Sequence, residues 1–198
     1  MKKQKNNLFK YIYEVLFNPR HFFTKIVADG NIDESMFKAF IYGLFGGGLV
    51  LLLRLIGGAT ITISGVFVAL VVIPVLAVAL LFLMGGLLML ISEITGGERD
   101  WEIAIKGLAS VFFLYPVILF LNSLAFNCWS MWLISIAVDT WILFLLYNIS
   151  AYCMHGNKVN VLVIIGILAL FMIMVYITDY RTGWFMLKNT SATLSCLL

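Results

Sequence analysis

The sequence predicts an all-α fold: a polytopic membrane helix bundle with five transmembrane helices and an N-terminal interfacial amphipathic helix. Three observations predict it. Of the 198 residues, 63% are hydrophobic and 12% charged, with a mean hydropathy of +1.05, against about 25% charged residues in a soluble domain. Apolar runs of the length needed to cross about 30 Å of hydrocarbon follow one another after residue 37. The charges collect in short stretches between those runs. A net charge of +3 is too small to argue for nucleic acid. The chain divides into a cytoplasmic basic N-terminus with the interfacial helix (1–36), a five-span membrane domain (37–178) and a short extracytoplasmic C-terminal tail (179–198).

The start, M-K-K-Q-K-N-N, has the charge of a signal peptide. Lys10 and Glu14 interrupt the apolar run behind it, Asn18-Pro19 follows, and no small-residue cleavage site appears, so no cleaved signal is expected. Residues 8–27 are aromatic and basic. Leu8, Ile12, Val15 and Leu16 share one helical face, while Lys10, Glu14, Arg20 and Lys25 prevent a span. One or two short helices are expected, divided at Asn18-Pro19. They lie in the membrane interface or pack beneath the bundle, and one arrangement does not exclude the other. Residues 28–35 read as a polar turn.

The first span is expected at about 37–56. Its glycines Gly43, Gly46, Gly47 and Gly48 include a G-x-x-x-G pair that lets another helix approach. Residues 57–65 form an uncharged loop. The second span, about 66–91, exceeds what a bilayer needs, and Pro74 is the expected kink. Between Ile91 and Pro116 the chain carries Glu93, Glu98, Arg99, Asp100, Glu102 and Lys106. These charges require a water-facing connection. Gly96-Gly97 closes the helix before it, and Asp100 caps the helix after it. Trp101, Ile105, Leu108, Phe112 and Tyr115 recur at helical spacing, and Pro116 falls inside the new helix. The third span is expected at about 108–126 and the fourth at about 131–152, with Trp129 and Trp132 at headgroup level. After a tight turn at 155–158 the fifth covers about 159–177.

Five spans put the termini on opposite sides. With the N-terminus inside, the inner set is Lys2, Lys3, Lys5, Lys10, Arg20, Lys25, Lys38, Arg99, Lys106 and Lys158. The outer set is Arg54, Arg181 and Lys188. That asymmetry predicts N-terminus inside and C-terminus outside, in a bacterial cytoplasmic (inner) membrane. Cys128 and Cys196 then share the outer side, either as a disulfide or as free thiols.

These features together resemble the Yip (Ypt-interacting protein) family and its bacterial relatives. The resemblance rests on Asn18-Pro19 followed by Phe22-Phe23 ahead of the first span, on Gly96-Gly97 with Asp100 and Trp101, and on Tyr115-Pro116 in the third span. It covers roughly residues 8–177. The long cytosolic N-terminal region and the D-L-Y-G-P motif of eukaryotic members are missing, which speaks against binding of Rab-type GTPases. The resemblance implies a scaffold or accessory subunit, in some cases linked to ABC-type exporters, without catalytic residues.

No catalytic set is apparent: the chain has no P-loop, no H-E-x-x-H and no G-x-S-x-G. Cys153-Met154-His155 is a soft-ligand cluster whose three adjacent side chains diverge, so neither metal nor cofactor is expected. Asp139 stands near the middle of the fourth span, where an ionised carboxylate costs roughly 2.5–3.5 kcal/mol. It is either a polar lock between helices, satisfied by Thr, Asn or Arg54, or an ion site. Two functions follow. One is a scaffold whose Gly-Gly connection, with Gly96, Gly97, Asp100, Trp101, Tyr115 and Pro116 as its partner-binding residues, and basic N-terminal helix engage a membrane-protein partner, a homo-oligomer or anionic lipid. The other is a small oligomeric transporter or channel subunit that uses Asp139, Arg54 and Pro74.

Overall fold

A computed structural model of the chain describes residues 8–25, 31–56, 60–125 and 129–182. Among the described residues every regular element is helical. Five stretches are long and apolar enough to cross a membrane: Ile32–Ile56, Ile63–Ile94, Trp101–Leu121, Ile136–Cys153 and Lys158–Val175. The chain is an integral, multi-pass membrane protein of the all-α class.

Two short helices precede the spans, α1 (Leu8–Phe17) and α2 (Pro19–Lys25), broken at Asn18-Pro19. Pro19 opens α2 at the position where a missing N–H costs nothing. The Asn18 N–H still bonds the Glu14 carbonyl at 2.9 Å, and the Asn18 carbonyl accepts from the Phe22 N–H at 3.1 Å. Val15 and Phe23 are fully buried. Phe22 meets both Tyr11 and Phe23 edge-on. The Tyr11 hydroxyl donates to the Ser110 carbonyl at 3.1 Å. The pair is therefore docked on the bundle through its apolar face.

The first span, α3 (Ile32–Ile56), starts earlier than expected. Residues 32–35 make its first turn rather than a polar loop. The Asn31 side chain accepts from the Ile32 N–H at 2.9 Å, and Asp33 and Glu34 sit at the positive end of the helix dipole. The glycine stripe serves two neighbours. A Cβ on Gly43 would meet Pro74 and Ala77, and one on Gly47 would strike the Ala69 carbonyl. Gly46 faces Leu119 and Pro116 instead. The first span thus packs at backbone distance on both the second and the third.

The second span begins at Thr62, whose hydroxyl accepts from the Gly65 N–H at 3.2 Å. It runs through α4 (Ile63–Phe67), a π-helical turn (Val68–Val72) and α5 (Ile73–Ile94). Pro74 explains the π turn. A proline ring clashes with the carbonyl four residues back. Widening the turn before it, so that Ile73 N–H bonds Val68, moves that carbonyl aside.

Asp100 caps the third span as expected. That span comprises α6 (Trp101–Val111), a 3₁₀ turn (Phe112–Leu114) and α7 (Tyr115–Ala125), so it begins at Trp101 rather than near 108. The fourth is α8 (Trp129–Asn148) extended by a second π turn (Ile149–Cys153). The fifth is α9 (Lys158–Thr182). The α6 helix is the most enclosed, with Ala104, Ile105 and Gly107 through Val111 buried. It packs on α3, α5 and the π turn of the fourth span. The α7 helix lies between α3 and α8 and packs on both, while α9 leans on α8 and the edge of α5.

Candidate functional site

The connection expected to organise the chain is one half of a paired structure. The second span ends in a Schellman closure. Gly96 takes the left-handed conformation (φ 76°). The Gly96 N–H bonds the Glu93 carbonyl at 3.2 Å and the Gly97 N–H bonds the Ser92 carbonyl at 2.8 Å. The fourth span ends alike. His155 is left-handed (φ 55°) although it is not glycine, and the Gly156 N–H returns to the Ser150 carbonyl at 3.0 Å. The π turn lengthens that second closure by one residue.

The two closures are bonded to each other reciprocally. Glu98 N–H donates to the Met154 carbonyl at 2.8 Å, and Asn157 N–H donates to the Thr95 carbonyl at 3.1 Å. Each bond joins the residue before one left-handed position to the residue two beyond the other. Thr95-Gly96-Gly97-Glu98 and Met154-His155-Gly156-Asn157 are therefore equivalent halves of one clasp. Ser92 lies beneath it, fully buried, its hydroxyl placed 2.9 Å from the Glu98 carbonyl and 3.3 Å from that of Met154. Thr95 Oγ1 donates back to its own helix. A Cβ on Gly97 would collide with the Ser92 hydroxyl, the Met154 carbonyl and the Gly156 nitrogen. Glycine at 97 is required by space, and at 96 by φ.

Charged groups stand on this frame. Glu98 meets His155 at 3.3 Å, Arg99 meets Glu93 at 3.0 Å, and Lys106 meets Glu102 at 2.7 Å. The Asp100 side chain accepts from the Glu102 and Ile103 N–H groups at 2.8 and 3.2 Å. The Trp101 ring stacks on Phe82 and covers Gly86. The N-terminal helices arrive at the same end, where Arg20 lies over the Tyr152 ring.

The expected site residues divide between this end and the bundle interior. Gly96, Gly97, Asp100 and Trp101 form the clasp and its exit. Asn18, Pro19, Phe22 and Phe23 form the docked N-terminal elbow, with Asn18 exposed and the other three buried. Tyr115 and Pro116 are not with the connection. They lie about 22 Å further along the third span at 1.5 Å per residue, Tyr115 stacked on Phe112 and Pro116 buried against Gly46. Arg54 is exposed near the far end of α3, its guanidinium beside Gly65. Asp139 is half-buried on α8, across α7 from α3. Cys153 and Met154 are buried while His155 is exposed, and among the described residues no group of His, Cys, Asp and Glu is placed to hold a metal. Cys128, Cys196 and the C-terminal tail from residue 183 lie outside the described residues.

Sequence reasoning missed the partner half of the clasp. It read 155–158 only as a tight turn. The available signal was a second glycine, Gly156, directly after an apolar span and followed by an Asn cap, the same order as in the Gly-Gly connection. Comparison of the chain with protein-family models, with curated proteins and with solved structures finds no match.

Proposed function

We propose that the protein is a membrane scaffold or accessory subunit of the Yip type, without catalysis, which binds a membrane-protein partner through the clasped end of its bundle. The observation that carries this reading is the clasp itself. Two span termini and the N-terminal elbow are fixed to one another, and exposed Glu93, Glu98, Arg99, Asp100, Glu102 and His155 are presented on the fixed frame. A rigid polar end binds without first being ordered, so little conformational entropy is lost on association. In this reading the clasped end faces the cytoplasm from a bacterial inner membrane, as the distribution of Lys and Arg suggests. The resemblance makes an ABC-type exporter one candidate partner, and the basic N-terminal segment meets anionic lipid.

The test is purification from native membranes in mild detergent, followed by crosslinking and mass spectrometry. A stoichiometric membrane protein crosslinked within residues 93–106, and lost from an E98K/R99E variant, is the expected result. A homo-oligomer that carries no partner and is indifferent to E98K/R99E overturns the reading.

A further inference from the structure

We infer that Arg20, Tyr152 and Lys158 form a binding site for the phosphate of an anionic lipid headgroup. The Arg20 guanidinium carbon lies 5.6 Å from the centroid of the Tyr152 ring, and Lys158 Nζ lies 4.9 Å from the same centroid. The N-terminal elbow and the turn between the fourth and fifth spans, remote in sequence from each other, thus bring two cations to one aromatic ring.

The acids at this end make their side-chain contacts elsewhere. Glu98, Glu93 and Glu102 are engaged with His155, Arg99 and Lys106. Among the described residues neither Arg20 nor Lys158 has a carboxylate partner. The two like charges that share one ring attract an anion to this corner of the bundle. A phosphodiester suits the pair. The planar guanidinium can take two of its oxygens, and the ammonium acts as a point charge beside it. The α9 helix begins at Lys158, so its positive N-terminal end points to the same place.

Depth and surroundings select a lipid as the source of the phosphate. Tyr152 is in the last turn of the fourth span and Lys158 is the first residue of the fifth. Both therefore stand at the level where a spanning segment meets water, and tyrosine rings are enriched there. Below Lys158 the outer flank of α9 is apolar and open, with Val159 68%, Leu162 60% and Val163 57% exposed. A headgroup on Arg20 and Lys158 would leave its acyl chain along that flank. The site also gives the elbow a purpose, because burial of Pro19, Phe22 and Phe23 holds Arg20 over the ring. The inference rests on the reading that this end faces the anionic cytoplasmic leaflet.

The experiment is native mass spectrometry of the full chain in detergent titrated with phosphatidylglycerol or with phosphatidylcholine. Variants R20Q, K158Q and their combination are compared with charge-retaining R20K and with R54Q at the other end of the first span. Phosphatidylglycerol binding should weaken about fivefold for each cation lost, weaken less in R20K than in R20Q, stay near wild type in R54Q, and lose its advantage over phosphatidylcholine in R20Q/K158Q. Unchanged phosphatidylglycerol binding in R20Q/K158Q overturns the site. If inorganic phosphate displaces phosphatidylglycerol and protects the wild type equally, the site stands but the lipid assignment falls. Melting in phosphatidylcholine micelles checks the fold of each variant, and the single variants decide should the double one not fold. Partner capture by the same variants separates the two claims: retained capture with lost lipid leaves the scaffold reading intact, and the reverse leaves the lipid site intact.

Discussion

The third and fifth spans look alike as strings of letters and behave oppositely in the structure. The fifth is the more apolar of the two, yet 11% of its most apolar stretch is buried inside the protein, against 50% for the third. In water the more apolar helix would take the interior. In a bilayer lipid is as good a solvent for leucine as another leucine is, so hydrophobicity no longer sorts helices between inside and outside. Small and polar residues do. The α6 helix carries Ala104, Gly107, Ala109 and Ser110 on its buried surface, while α9 shows Leu162, Ile167, Leu170 and Phe171 outward.

The strongest way to break that contrast is truncation at matched positions. Ile105 is fully buried in the third span, and Leu170 is 64% exposed in the fifth. I105A should cost about 2–5 kcal/mol, the range for emptying a packed site. L170A should stay within about 0.5 kcal/mol. Thermal unfolding in detergent measures both. A loss at L170A as large as that at I105A would mean that α9 is covered, in the functional assembly, by a second chain.

A smaller effect sharpens the comparison by asking what holds the fifth span. Because α9 has so little packing, the clasp is its main attachment, through Asn157 N–H to Thr95 and Met154 carbonyl to Glu98. G97A forces a methyl group into the Ser92 hydroxyl and two backbone atoms, and overpacking of this kind costs about 1–3 kcal/mol. Hydrogen exchange at residues 159–163 should rise with it. A Cβ on Gly166, midway along α9, meets nothing, so G166A should instead gain about 0.5–1 kcal/mol from the helix preference for alanine. Equal exchange at 159–163 in wild type and G97A would show that the clasp does not anchor the fifth span.

The contrast also explains what was legible in the sequence. Spans were readable because lipid demands long apolar runs, and the Asp100 cap and the Gly96-Gly97 closure were readable because capping chemistry is local. Helix starts were less so. Residues 32–35 looked like a turn because acidic residues at a helix N-terminus resemble a polar loop. The pairing of 95–98 with 154–157 left almost no trace, since, apart from the exposed Glu98–His155 pair, its bonds between the halves run through backbone or through one serine hydroxyl. The two faces of the glycine stripe were equally hidden: G-x-x-x-G announces close packing without saying which helix comes close. Tyr115-Pro116 was grouped with the connection through family resemblance, whereas its packing against Gly46 belongs to the first span.

The mildest perturbation tests whether the enclosed third span also anchors the N-terminal elbow. Tyr11 reaches the Ser110 carbonyl, just before the 3₁₀ turn in that span. Y11F keeps the ring against Phe22 and removes one hydrogen bond, so the expected cost is about 1 kcal/mol. Its pH behaviour is more diagnostic than its size. Burial, followed by the neighbouring Tyr42, pushes the Tyr11 hydroxyl above its ordinary range. The folded form thus keeps a proton that an undocked tyrosine releases near about pH 10. The stabilisation is whole below that pH and is lost as pH rises from there toward the folded value. Wild type should lose elbow docking in alkali more steeply than Y11F, as read from hydrogen exchange across residues 11–24. Parallel alkaline profiles for the two proteins would show that the elbow is held by Val15, Phe22 and Phe23 alone, and that the bond to Ser110 orients the elbow without fastening it.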